Sequence, residues 1–101
     1  EKVTPTYVLS GPRDISMSLR WIAMMSDRVD CDLAASTGVH DGEGVIKQIL
    51  AGANAVQVAS TLYKKGPEQI GVILNEVESW MDKKGYTTLD DFRGKLSYGK
   101  V

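Results

Sequence analysis

Two short stretches of small residues are the places in this chain where residue type and spacing suggest chemistry. Thr37-Gly38-Val39 follows a short apolar run, and Ala59-Ser60-Thr61 follows a second run 22 positions on. If both runs are strands of one parallel sheet, the two stretches lie at the carboxyl ends of neighbouring strands, the edge where α/β proteins hold ligands. Backbone N–H groups of Gly38 and Val39, beside those of Ser60 and Thr61, then converge on one anion. Gly38 permits a close backbone approach, and the small side chains of Ala59 and Ser60 leave the second loop uncluttered. A glycine after a strand more often makes a plain turn, however. Asp41 and Glu43 would also repel a phosphate unless their carboxylates point away. Spacing alone leaves the anion cup and the plain turn both open.

The remaining reactive residue types offer less. His40 stands alone in a loop, where a solvated, idle imidazole is the ordinary outcome. Cys31 opens its apolar run and has no base beside it in sequence, so it reads as a small buried hydrophobe rather than a nucleophile. Lys64-Lys65 reads as a solvated pair that at most frames an anion nearby. No paired carboxylates, metal-ligand spacing or nucleophile elbow is visible. No catalytic residue and no metal ligand is therefore assigned.

The elements that would position these loops follow from periodicity. Pro5 to Leu9 suits an extended segment, broken by Ser10-Gly11-Pro12. Ile15, Leu19, Ile22, Met25 and Val29 recur at helical spacing and predict a helix over 14–28, with Pro12 at its entry. Met17, Trp21 and Met24 lie off that stripe, so the helix is apolar on more than one side. Residues 31–36 and 55–59 are short apolar runs without helical period and predict two buried strands. Between them Asp41 serves as N-cap, with Glu43 in the first turn. Val45, Ile46, Ile49 and Leu50 form one apolar face, and Gly52 terminates the helix. Strand, helix and strand then form a right-handed parallel unit. A long helix over 67–84 carries Ile70, Ile73, Leu74, Val77, Trp80 and Met81 on one face and stops at Gly85. Thr88 to Asp91 is a variant capping box opening a short turn that ends near Gly94. Trp21, Trp80 and the methionines read as core or interface residues. Residues 95–101 read as a frayed tail.

Composition narrows the function classes. The 101 residues suffice for a single segment spanning 1–101 and no more. An apolar share of 43 % with 25 % charged is a globular balance, which argues against disorder. Twelve Lys and Arg face thirteen Asp and Glu, so the basic surplus of a nucleic-acid binder is missing. No apolar run reaches the roughly 18 to 20 residues of a membrane span. One cysteine excludes an internal disulfide framework. A cytoplasmic protein with no nucleic-acid or membrane partner is the expectation. The chain opens Glu1-Lys2-Val3 without Met, which suggests a processed product or a piece of something longer.

The stretch from Gly38 to Val58, with its Leu50-Ala51-Gly52-Ala53 and Ala55-Val56-Gln57-Val58 runs, resembles the C-terminal part of dihydroorotate dehydrogenases. So do Leu9 to Pro12, Tyr63 through Gly66-Pro67, Lys84-Gly85-Tyr86 and Asp91 through Lys95. The likeness covers residues 8–96. It implies an α/β fold that is the last two and a half βα units of a (β/α)8 TIM barrel holding FMN. The implied activity is oxidation of dihydroorotate to orotate in pyrimidine biosynthesis. By that resemblance Ser10 and Gly11 belong to the glycine-rich loop after the sixth strand. Thr37-Gly38 stands where the family has a Gly-Gly pair on the FMN phosphate, and Ala59-Ser60 where it has Gly-Thr or Gly-Ser. Both phosphate loops thus depart by one glycine, and the added Cβ atoms would crowd a tight backbone approach.

The cofactor-binding set implied is Ser10, Gly11, Thr37, Gly38, Val39, Ala59, Ser60 and Thr61. The family's catalytic Cys or Ser lies in a part this chain does not contain, and Cys31 does not match it. The segment is therefore expected to anchor FMN within an intact parent acting on a dihydroorotate-like small molecule, and to be inactive alone. Open sheet edges and uncovered helix faces predict a homo-oligomer. Two other readings stay open: a dihydropyrimidine dehydrogenase-like or other phosphate-binding barrel, and a non-catalytic protein-interaction module.

Overall fold

The computed structural model describes residues 11–95. The extended segment foreseen over 5–9, Ser10 and the end of the tail lie outside them. Four α-helices, α1 (Ile15–Met25), α2 (Gly42–Ala51), α3 (Ser60–Lys65) and α4 (Gln69–Lys84), accompany two strands, β1 (Ala34–Ala35) and β2 (Ala55–Val56). The strands are parallel, with Ala34 opposite Ala55 and Ala35 opposite Val56. This is the foreseen strand–helix–strand unit, in an α/β chain.

Helix α1 is shorter than 14–28 because each end tightens. Pro12–Asp14 forms a 3-10 turn, closed by the Gly11 N–H donating to Asp14 Oδ2 at 2.7 Å. Beyond Met25 the coil continues only as turns, with the Arg28 N–H donating to the Met25 carbonyl at 2.9 Å. Ile22 and Ala23 face inward against Ala35, Ala51 and Ala53, with Leu19 and Leu33 at the margin. Alanines on three elements let α1, β1 and the end of α2 approach closely.

The first strand is far shorter than 31–36, and Cys31 is exposed rather than buried. Pairing begins only where Asn54 reaches across. Its side-chain Oδ1 accepts from the Leu33 N–H at 2.9 Å, and its own N–H donates to the Leu33 carbonyl at 2.8 Å. Asp30 and Asp32, both exposed, hold the residues around Cys31 at the surface. The second strand is also shorter than 55–59, although the Gln57 N–H still donates to the Ala35 carbonyl at 2.7 Å.

Helix α2 follows its sequence signals. Asp41 is its N-cap, Oδ1 accepting from the Gly44 N–H at 2.8 Å, and Gly52 ends it at φ +121°. That angle excludes most side chains, and a Cβ there would also meet Ser26 Cβ at 2.5 Å. An unforeseen contact ties α2 to α4: the Gly42 N–H donates to Glu76 Oε1 at 3.0 Å. Ile46 and Ile49 pack on Ile73, Val77 and Phe92 in the larger part of the core. Trp80 meets the Phe92 ring edge-on with centroids 4.9 Å apart, while Tyr86 stacks on it at 5.4 Å. The turn at 89–94 is stitched to α2 through the Gly94 N–H to the Ile49 carbonyl, and to the loop after it through Arg93 Nε to the Ala53 carbonyl.

Two differences concern the last helices. Ser60–Lys65 is helical, where the sequence offered only a lead-in, because six residues are too few to show a period. Helix α4 starts at Gln69 rather than 67, and Ile70 and Leu74 stay exposed at its margin. With Val58 and Leu89 they rim an apolar groove of about 250 Å³. The variant capping box at Thr88 and the Gly85 terminator are both present. No described helix is long and apolar enough to cross a membrane.

Candidate functional site

Parallel pairing in this register brings the two post-strand loops side by side. They enclose a cavity of about 240 Å³ lined by Ser36, Thr37, Gly38, Val39, Gln57, Val58, Ala59 and Ser60. Five of the eight foreseen site residues are therefore together: Thr37, Gly38, Val39, Ala59 and Ser60. Among the described residues no charged side chain lines the cavity. It is built from hydroxyls, one carboxamide, small apolar groups and main chain.

The carboxylates that would oppose an anion are engaged elsewhere. Asp41 is held by its capping bond, and Glu43 pairs with Lys47 at 3.0 Å on the outer surface of α2. Neither residue lines the cavity. Each carboxylate has a donor of α2 as its partner and neither forms the cavity wall, which weakens the repulsion that the sequence raised.

Thr37 and Gly38 have unusual backbones. Both are left-handed, at φ +78° and +82°, and Thr37 is the non-glycine residue with positive φ among the described residues. For an L-residue with a branched Cβ that conformation costs about 1–2 kcal/mol. Gly38 is needed for a reason other than ligand approach. A Cβ at this position would lie 2.2 Å from the Ile15 amide nitrogen, so the start of α1 occupies the space a side chain would take. The glycine seats the helix against the loop, and the loop shape follows.

The other foreseen residues fall outside the cavity lining. Thr61 is fully buried and its hydroxyl donates to the His40 carbonyl at 3.4 Å, fastening α3 to the loop before α2. Gly11 closes the turn ahead of α1 and does not line the cavity, and Ser10 lies outside the described residues. His40 is buried rather than solvated, its carbonyl also accepting from Gln69 Nε2 at 2.9 Å. Lys64 and Lys65 are exposed at the end of α3 and do not line the cavity. Three lining residues were missed, Ser36, Gln57 and Val58. For Ser36 and Gln57 a signal existed: two-residue alternation from Ala34 and Ala55 puts both on one face of the sheet. Among the described residues no cluster of His, Cys, Asp or Glu suits a metal ion.

The parallel strand–helix–strand unit has its cavity at the carboxyl edge of the strands, the edge at which α/β folds commonly hold ligands. Comparison with known proteins narrows this. The dihydroorotate dehydrogenase family model matches residues 4–81, and the chain belongs to that family. A probable dihydroorotate dehydrogenase A (fumarate) of Streptococcus pneumoniae is 48 % identical over 61 residues, 60 % of this chain and 20 % of the relative. Dihydroorotate dehydrogenase A (fumarate) of Lactococcus lactis is 41 % identical over 59 residues, 58 % of this chain and 19 % of its own length. A ligand-free crystal structure of DHODH from Eimeria tenella superposes with a TM-score of 0.80 at 25 % identity, covering 88 % of this chain and 25 % of that one. The chain thus spans about a fifth of the curated relatives it matches.

Proposed function

We propose that this chain is the FMN-phosphate-holding portion of a dihydroorotate dehydrogenase-like flavin oxidoreductase, the last two and a half βα units of its barrel. Bound FMN would supply hydride acceptance from a dihydroorotate-like substrate. The residues of this chain take no part in bond making and act by holding and orienting. Main-chain amides and hydroxyls at Thr37, Gly38, Val39, Ala59 and Ser60 surround the phosphate, with Ser36 and Gln57 on the adjoining face of the sheet. Among the described residues the cavity lining carries no carboxylate, imidazole or thiol to accept a proton, and the segment alone should be inactive.

The observation that carries this reading is Thr37. A threonine in the left-handed region persists only where its surroundings dictate the backbone, and such strain concentrates at functional sites. The loop therefore keeps the shape natural to a glycine pair although one glycine is lost. The cavity also fits a phosphate: at about 240 Å³ it holds the volume share of roughly eight waters, and among the described residues no carboxylate lines it. The named relatives carry the dihydroorotate dehydrogenase description, which favours this family over a dihydropyrimidine dehydrogenase-like barrel.

The test is competition. Equilibrium dialysis should show FMN and inorganic phosphate displacing each other from the chain, while riboflavin, which lacks the phosphate, displaces neither. No dye reduction should accompany addition of dihydroorotate. Riboflavin competing as well as FMN, or turnover by the isolated chain, would overturn the proposal.

A further inference from the structure

Asp41 is followed by Gly42, a pair prone to close on itself: with no Cβ in the way, the glycine nitrogen can attack the aspartate side chain. Packing imposes both members here. Asp41 caps α2, its Oδ1 accepting from the Gly44 N–H at 2.8 Å. Gly42 lies against α4, where an added Cβ would meet Glu76 Cβ at 2.3 Å and the Ile73 carbonyl oxygen at 3.2 Å. The labile pair is thus built into the contact between α2 and α4. Glu76 does more than crowd it, since its Oε1 accepts from the Gly42 N–H at 3.0 Å. That bond directs the nitrogen toward α4. At ψ 177° for Asp41, the Gly42 nitrogen also stands out of line with the Asp41 Cβ, whereas ring closure needs the two nearly eclipsed. Gly42 is buried, while Asp41 is exposed.

We propose that Asp41 is a latent isoaspartate site that Glu76 keeps closed, so that loss of the Glu76–Gly42 bond opens the start of α2 to covalent ageing. In the reaction the Gly42 nitrogen bonds to Asp41 Cγ. The displaced carboxyl oxygen leaves as water, carrying the amide proton and a second proton from its own hydroxyl or from solvent. The resulting succinimide takes water back at either carbonyl, restoring aspartate or giving isoaspartate, with no oxidant or reductant involved. Two bonds oppose the first step. The cap holds the side chain toward Gly44, and Glu76 holds the nitrogen toward α4. The backbone must give up a bond to a charged acceptor before the ring forms. Isoaspartate routes the main chain through Cγ, which lengthens it by one carbon two positions after Val39 and displaces the capping carboxylate of α2. The bond from α4 therefore protects the end of the loop covalently as well as by packing. This role is independent of what the cavity holds.

The test is ageing of the full chain at neutral pH, with circular dichroism confirming the fold of each variant. Isoaspartate is located by fragmentation of the tryptic peptide 29–47, in which Asp32, followed by Leu33, is the internal reference. Wild type should accumulate isoaspartate at position 41 far more slowly than the chain unfolded in guanidinium. Glu76→Ala should raise the folded rate about tenfold, as loss of one bond to a charged acceptor does. Glu76→Gln keeps the shape and a neutral acceptor, and should raise it about threefold. It carries the same comparison if Glu76→Ala does not fold. Val77→Ala loosens α4 against α2 without touching the bond and should stay near the wild-type rate. Wild type ageing as fast as the unfolded chain, or as fast as the Glu76 variants, would overturn the proposal. So would slower ageing of those variants, which would make Glu76 a base that draws off the amide proton. Val77→Ala ageing as fast as Glu76→Ala would also overturn it, because general loosening and not the bond would then set the rate.

Discussion

Replacing Thr37 with glycine should stabilise the chain, against the usual direction for a glycine substitution. The left-handed backbone at φ +78° strains threonine by about 1–2 kcal/mol, and glycine adopts it without strain. Glycine also gives the unfolded chain more freedom, which takes back about 0.4–1 kcal/mol. The exposed threonine side chain adds little burial to the balance. The net gain is about 0.5–1 kcal/mol, or an increase in melting temperature of about 2–8 °C for a domain of this size. Thr37→Ala is the discriminating control, since alanine retains a Cβ and with it most of the strain. Thermal melts followed by circular dichroism should place Thr37→Gly above both wild type and Thr37→Ala. A lower melt for Thr37→Gly, or an equal gain from Thr37→Ala, would refute the strain and with it the claim that the loop is held in a glycine's shape.

Gly38→Ala should do the reverse. Left-handed strain and a Cβ at 2.2 Å from the Ile15 amide nitrogen together cost about 2–5 kcal/mol, read as loss of soluble, helical protein. Asp41→Ala removes the cap of α2 and should lower stability by about 1 kcal/mol in urea melts, whereas Asp41→Asn keeps an acceptor and should lose less. At the far end of the chain, the Thr88 and Thr87 amides hold the Asp91 carboxyl below its ordinary value of 3.8. The folded state thus favours the ionised form, so its contribution is complete above that value and fades as pH falls through the lower folded one. Acid unfolding of Asp91→Asn should accordingly show a shallower decline below pH 3.8 than wild type.

Much of this was legible because it is local. Asp41, Gly52 and Gly85 act within one helical turn of their own positions, and the parallel pairing follows from two short runs separated by one helix. The site loops came with that pairing. What could not be read depends on distant atoms. Cys31 sits at the surface because Asn54, 23 positions on, fixes where pairing starts. Gly38 is required by Ile15 rather than by a ligand, and His40 is buried because Thr61 and Gln69 close over its carbonyl. Helix α3 is too short to show a period, so Thr61 could not be placed inside rather than at the cavity. Ser36 and Gln57 were within reach of simple alternation.

Amide-resolved NMR of the isotopically labelled chain, titrated with inorganic phosphate, reads the paired loops at once. If they share one anion, the amide signals of Thr37 to Val39 and of Ala59 to Ser60 should move together, along a single saturation curve. Riboflavin should leave them in place. Movement of one loop without the other, or phosphate shifts gathered at Lys64 and Lys65 instead, would contradict a common anion-binding cavity.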